Sequence, residues 1–183
     1  MILAAVMSAC LSACAQGESR PSDKGGKAIV VYFSATGTTR QVARQLAAVM
    51  TDADMLEIEP AQPYTAADLD WTDRKSRSSV EMNSLESRPA IRDTKKDIEG
   101  YDVVFIGYPI WWNLAPTVVN TFIERNKLNG KKVVPFATSG GNSINNSVSQ
   151  LRRLYPEIDW ADGKLLNAPT EESIGKWVES LNL

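Results

Sequence analysis

The feature that narrows the fold most is a change of texture between residues 28 and 50. Ala28-Ile29-Val30-Val31-Tyr32-Phe33 is apolar and rich in β-branched side chains, as expected of a strand buried on both faces in a parallel sheet. Arg40 to Met50 then sets Val42, Ala43, Leu46, Ala47, Val49 and Met50 at helical spacing. Between them lies Ser34-Ala35-Thr36-Gly37-Thr38-Thr39. A loop of hydroxyls and one glycine therefore joins a strand's carboxyl end to a helix N-terminus. Unsatisfied N–H groups and the helix dipole make that place favourable for a phosphate. Gly37 lets the backbone approach closely, and Ser34, Thr36, Thr38 and Thr39 each add a hydroxyl donor. No Lys or Arg lies within the loop, so neutral donors would do the holding. A plain helix cap needs one hydroxyl or two, not four around a glycine. The patterns G-x-x-x-x-G-K-[ST] and G-x-G-x-x-G are both absent here, so neither a triphosphatase loop nor a dinucleotide fingerprint accounts for it.

Composition removes most of the alternatives in which the protein itself does chemistry. The chain has 183 residues and a net charge of −2, enough for one domain with a real core and no broad surface for nucleic acid. It contains no histidine. That removes the commonest general base and metal ligand, and every Ser-His or Cys-His triad. The two cysteines, Cys10 and Cys14, both lie in the first segment. Structural zinc, iron–sulfur ligation and a thiol nucleophile are thus not expected in the globular part. Redox chemistry, if present, has to come from a bound cofactor.

Residues 1–26 are expected to stand apart from a domain over 27–183. Met1 to Ala15 carries no charge and is short for a bilayer span. Leu11-Ser12-Ala13-Cys14 resembles a bacterial lipobox, which predicts cleavage before Cys14 and lipid on the new N-terminal cysteine. Gln16 to Lys27 then reads as a polar tether. The expectation is an exported, membrane-anchored lipoprotein, since several acyl chains anchor stably where one does not. No Lys or Arg precedes Arg20, whereas a secretory signal begins with a basic stretch. The alternative is therefore a misassigned start and a cytoplasmic protein.

The remaining chain alternates strand and helix patterns. Strands are expected at 53–58, 102–107, 132–137 and 158–160, with Pro135 weakening the third of these. Helices are expected within 68–82 and over 117–127, 145–154 and 170–181, the last capped by Thr170. Residues 59–99 form a polar insertion. This order predicts an α/β fold, a doubly wound parallel sheet with helices on both faces, and ligand at the strands' carboxyl ends.

Two further loops are expected to converge on that edge. Tyr108-Pro109-Ile110-Trp111-Trp112-Asn113-Leu114-Ala115-Pro116 offers two flat indoles held between prolines. They suit stacking on a planar ring, or alternatively packing beneath the polar insertion. Thr138-Ser139-Gly140-Gly141-Asn142 brings backbone N–H groups close to a ligand, or alternatively makes an ordinary turn.

Taken together, Tyr32 to Thr39, Tyr108 to Trp112 and Thr138 to Asn142 resemble the flavodoxin family, in particular bacterial flavodoxin-like proteins with a Y-P-I-W-W loop. The segments Pro63-Tyr64-Thr65, Asp68 to Thr72 and Ser87 to Ile91 are similar to that group as well. The resemblance implies a five-stranded sheet in the order 2-1-3-4-5 and non-covalent flavin mononucleotide (FMN). Ser34, Ala35, Thr36, Gly37, Thr38 and Thr39 would form the phosphate loop. Pro109, Ile110, Trp111, Trp112 and Asn113 would line the ring and ribityl side, with carbonyls of 109–112 facing the reacting nitrogen. Ser139, Gly140, Gly141 and Asn142 would close the other edge. The implied function is electron transfer through FMN, with redox proteins or a small quinone-like acceptor as partners. The alternatives are an FMN-dependent NAD(P)H:quinone or nitro-compound reductase, walled by Tyr64, Asp70 and Trp71, and a surface binding module without redox use.

Overall fold

A computed structural model describes residues 26–183 apart from 52, 94 and 95. Cys10, Cys14 and the expected lipobox lie outside the described residues. The elements run β1 (Ala28–Tyr32), α1 (Thr38–Val49), β2 (Asp54–Glu57), α2 (Arg77–Met82), β3 (Val103–Pro109), α3 (Thr117–Asn126), β4 (Lys132–Thr138), α4 (Asn145–Leu154), β5 (Asp159–Trp160), β6 (Lys164–Leu165) and α5 (Glu171–Ser180). The sheet order is β2-β1-β3-β4-β5, and every pairing is parallel. This is the doubly wound α/β architecture and the 2-1-3-4-5 order expected from the sequence.

Side-chain alternation sorts the core into two layers. Ile29, Val31, Phe33, Val104, Ile106, Tyr108, Val133 and Ala137 point to one face, where α3 and α4 cover them. Val30, Tyr32, Val103, Phe105, Val134 and Phe136 point to the other, under α1 and α5. Burial on both faces explains why these strands read as continuous apolar runs. Gly107 sits mid-sheet beside Phe136, and a Cβ on it would stand 2.1 Å from that ring. Glycine is required there for clearance, not for backbone conformation.

The fifth lane is broken into two pieces, β5 and β6, both paired with β4. Pro135 supplies the reason. The carbonyls of Val133 and Ala137 accept from Ala161 and Leu166 on this side, so residue 135, in phase with them, faces the same lane. A proline there has no N–H to donate. The lane leaves the sheet opposite it and returns through Gly163, whose absent Cβ would stand 2.8 Å from Val148 Cγ2. A proline that weakens a strand prediction is thus tolerated because its neighbour is interrupted.

Most boundaries fall within two residues of expectation, and two differences have a clear physical cause. The helix expected within 68–82 occupies only α2. Upstream, Asp68 accepts from the Thr65 N–H and hydroxyl, Asp70 from those of Thr72, and Asp73 from the Lys75 N–H. Such local turns compete with helix. β3 runs on to Pro109 because β4 keeps pairing with it as far as Thr138.

The insertion is strapped onto α3. Arg88 donates to Glu124 at 2.8 and 2.9 Å, the Tyr155 hydroxyl donates to the same carboxylate at 2.8 Å, and Arg125 reaches the Ile91 carbonyl at 3.1 Å. Hydrogen bonds from Arg88, and then from Tyr155, hold the Glu124 carboxyl below its ordinary pKa. A depressed folded pKa stabilises above the unfolded value, about 4.3, and that stabilisation is lost as pH falls through the folded one. Glu124→Gln is therefore expected to lower stability at pH 7 by about 0.5 kcal/mol, the pair being partly solvated. Thermal unfolding across pH should show the gap closing below about pH 4. A gap that persists unchanged at pH 3 would exclude this origin.

Candidate functional site

The carboxyl ends of β1, β3 and β4 lie side by side, and their loops meet above the sheet. Ser34, Thr36 and Thr38 come from the first, Pro109 to Trp111 from the second, and Ser139 and Gly140 from the third, around a cleft of about 350 Å³. Residues from all three predicted loops are brought together. Gly37, Trp112, Asn113, Gly141 and Asn142 stand outside this lining.

At the start of α1, Gly37 is the N-cap at φ 94° and offers no side-chain cap. Gln41 N–H is the first to find an intrahelical acceptor, the Gly37 carbonyl. The N–H groups of Thr38, Thr39 and Arg40 have no acceptor among the described residues. By contrast, the first turn of α5 is closed by the reciprocal Thr170–Ser173 capping box and carries Glu171 and Glu172. The start of α1 has neither device, so its donors and dipole remain open to an anion. A Cβ on Gly37 would meet nothing within 4 Å. Arg40, the first basic residue after the loop, is committed elsewhere: its Nε donates to Glu57 at 3.2 Å, and the Tyr32 hydroxyl donates to the same carboxylate at 3.1 Å.

The hydroxyls divide their roles. Ser34 Oγ accepts from the Gly37 N–H at 3.1 Å and keeps its own proton to donate. Thr36 and Thr38 Oγ1 lie 3.4 Å apart. Thr39 is only 1% exposed, and its Oγ1 pairs with Thr138 Oγ1 at 2.9 Å. Its hydroxyl therefore ties the first loop to the third, leaving its backbone N–H at the helix end.

The second loop is a tight hairpin. Trp111 N–H donates to the Leu114 carbonyl at 3.0 Å, and Leu114 N–H donates back to the Trp111 carbonyl at 2.8 Å. Trp112 and Asn113, at its tip, have φ 46° and 65°, the left-handed pair that mirror-image turns require. Neither is glycine, and a tryptophan there is strained. The two indoles differ in role. Trp111 packs edge-on against Phe33 at 5.5 Å and Tyr64 at 5.3 Å, so the reading of a Trp beneath the insertion applies to it, while it also lines the cleft. Trp112 is 44% exposed. Tyr64 is in turn locked by its hydrogen bond to Glu81 and by the Arg77 guanidinium 4.0 Å from its ring centre. Burial, then Glu81, pushes the Tyr64 pKa far upward, so its hydroxyl stays protonated.

The third loop is an internally bonded turn beside the cleft. Ser139 Oγ accepts from the Gly141 and Asn142 N–H groups at 3.2 and 2.8 Å. The Gly140 N–H has no acceptor among the described residues. Asn167, which sequence reasoning missed, grips Ser139 on both sides: its Oδ1 accepts from the Ser139 N–H at 2.9 Å and its Nδ2 donates to the Ser139 carbonyl at 2.8 Å. No local pattern marks it, because its role depends on the chain returning past β6.

A family model described as Flavodoxin matches residues 27–181. No curated protein matches the chain. Among solved structures, a protein of Bacteroides eggerthii DSM 20697, described provisionally as a flavoprotein, is 55% identical, with a TM-score of 0.84 over 87% of this chain and 99% of its own. One of Bacteroides uniformis ATCC 8492, described in the same terms, is 51% identical, with a TM-score of 0.81 over 85% and 99%. A flavoprotein of Lactobacillus acidophilus NCFM, solved in complex with FMN, is 20% identical, with a TM-score of 0.68 over 87% and 100%, and at that identity shows the fold alone.

Thr39→Val removes one partner of the buried hydroxyl pair and strands Thr138, itself 5% exposed. The expected cost is about 1–3 kcal/mol. Urea unfolding should then show the double variant Thr39→Val/Thr138→Val losing less than the sum of the single losses. Strict additivity would mean that the two hydroxyls do not interact.

Proposed function

This chain belongs to the flavodoxin family, and on that premise we propose that it binds FMN and relays electrons between redox partners. The observation that carries the reading is the start of α1. Open backbone donors, a glycine with free space above it, and neutral hydroxyls face the cleft that the Trp111 and Ser139 loops also line. A terminal phosphate suits these donors, because a helix N-terminus favours an anion without needing a basic side chain.

The residues fit the rest of the group as well. Ile110 and Trp111 offer an apolar wall, and Gly140 an unpaired N–H with clearance above it. Bound FMN would supply the acceptance and release of electrons, which no side chain of this domain provides. The protein's own part is positional. The N–H groups of Thr38, Thr39 and Arg40, with the Thr36 and Thr38 hydroxyls, bind the phosphate. The Trp111–Leu114 hairpin orients one wall before ligand arrives, and Asn167 holds the opposite loop rigid, so little ordering cost remains at binding. Trp112's carbonyl, without a donor among the described residues, can accept a proton-bearing nitrogen. Lipidation at Cys14 and tethering outside the inner membrane belong to the same proposal, supported by cysteine occurring only at Cys10 and Cys14.

Fluorescence titration of the apo-protein should show FMN quenched on binding and riboflavin, which lacks the phosphate, bound at least about tenfold more weakly. Equal affinity for the two would remove the phosphate assignment. Steady-state oxidation of NADH or NADPH with a quinone should be negligible; sustained turnover would identify a reductase. In a bacterial host, labelled fatty acid should enter the full chain and fail to enter Cys14→Ser. Equal labelling would rule out Cys14.

A further inference from the structure

The wall that Trp111 gives to the cleft is held from the insertion. Phe33 and Tyr64 meet the indole edge-on, at 87° and 83°, and pack against each other at 5.8 Å. Two rings set edge-on against one indole oppose its rotation, since turning it drives atoms into one ring or the other. Phe33 is buried directly after β1 and fixed by the sheet. Tyr64 stands in the insertion, and two side chains of α2 fix it. Its hydroxyl donates to Glu81, and the Arg77 guanidinium lies against its ring. Arg77 in turn donates to Glu81 and to the Gln62 carbonyl, both at 2.7 Å. α2 has only six residues, yet its start is pinned by the Ser76 cap and by the Ser78 N–H bond to the Asp68 carbonyl. The Arg77 and Glu81 side chains are 23% and 11% exposed. An ion pair that far out of water is often no more stabilising than apolar side chains of similar volume. A clasp alone could therefore be apolar. Glu81 supplies what an apolar residue cannot, a directional acceptor for the Tyr64 hydroxyl.

We propose that Glu81 is a positioning residue for FMN: acting through the Tyr64 hydroxyl, it fixes the plane of the Trp111 indole before ligand arrives. The inference rests on the FMN reading and gives the insertion a part in cofactor binding. The Trp111–Leu114 hairpin places the backbone of that wall. The plane of the ring is left to Phe33 and Tyr64. Neither Tyr64 nor Glu81 lines the cleft itself, so both act at one remove. An indole already held has little rotamer freedom left to lose when ligand binds, and a freed one gives up affinity to become ordered. The effect belongs to the wall that Trp111 and Ile110 form, away from the open donors of α1.

The test is a double-mutant cycle in FMN affinity, read by fluorescence titration of the full chain, with riboflavin titrated alongside. Tyr64→Phe keeps the ring against Trp111 and removes only the hydroxyl. Glu81→Leu removes the acceptor at similar volume, and Glu81→Gln keeps an acceptor without the charge. Tyr64→Phe and Glu81→Leu should each weaken FMN about three- to tenfold, the scale of one hydrogen bond. Riboflavin should weaken by the same factor, because the phosphate donors are untouched. The double variant should bind no more weakly than the weaker single one. Glu81→Gln should stay within about twofold of the wild type, although it too loses the full ion pair with Arg77 and some stability to urea. At saturation, the visible circular dichroism of bound FMN should change in Tyr64→Phe and Glu81→Leu and keep its wild-type form in Glu81→Gln. Wild-type affinity and dichroism in Tyr64→Phe would overturn the inference, leave the FMN reading intact and reduce Glu81 to a clasp. Additive losses in the double variant would overturn it as well, since Glu81 would then act by another route. So would Glu81→Gln binding as weakly as Glu81→Leu, or a loss confined to FMN with riboflavin unaffected. Failure of the wild-type chain to bind FMN would overturn both readings together.

Discussion

β3 runs between β1 and β4, and hydrogen bonds along both its edges hold Tyr32, Gly107 and Phe136 in one row. Because the pairing is parallel, the three chains leave the sheet on the same side, and their loops have no choice but to meet. Gly107 lets this row close up: the Phe136 ring lies where its Cβ would be. One residue further along, Phe33, Tyr108 and Ala137 begin the layer from which the site rises. The Thr39–Thr138 hydroxyl bond then links two of the loops directly. The site's dimensions are therefore set by the sheet, and the loops add only local detail.

That detail follows one pattern, in which side chains hold backbone so that other backbone groups stay free. Ser34 holds Gly37, Ser139 holds Gly141 and Asn142, and Asn167 holds Ser139. What remains unspent is the first turn of α1 and the Gly140 N–H. An anion bound there meets dipoles and N–H groups already oriented, and Arg40 stays in its pair with Glu57.

Much of this was legible in the sequence, for physical reasons that can be named. Strands buried on both faces announce themselves as unbroken apolar runs, and Ala28 to Phe33, Asp102 to Gly107 and Lys132 to Ala137 did so. The three loops were legible because each follows such a run. What stayed hidden depends on partners distant in sequence. Thr39 looks like any other hydroxyl of the loop after β1 until Thr138 is placed beside it. Trp111 and Trp112 are adjacent and chemically identical, yet a left-handed turn sends one under Tyr64 and leaves the other in solvent. The helix expected within 68–82 was shortened by Asp and Thr side chains whose turns outcompete it. Asn167 carried no signal at all.

The broken fifth lane has a consequence beyond accommodating Pro135. A doubly wound sheet ends in two edges, each a row of backbone groups able to recruit a strand from another molecule. Here one edge is reduced to two dipeptides separated by a detour, bearing Asp159 on one and Lys164 on the other. At the opposite edge, Lys96 and Tyr101 both bond Asp54 of β2, and just past its end Pro60 bridges to Ile91. Neither margin presents a long, flat template. A protein whose central strands are among the most aggregation-prone kinds of sequence thus keeps them away from its neighbours, and the proline that looked like a flaw in β4 is part of that protection.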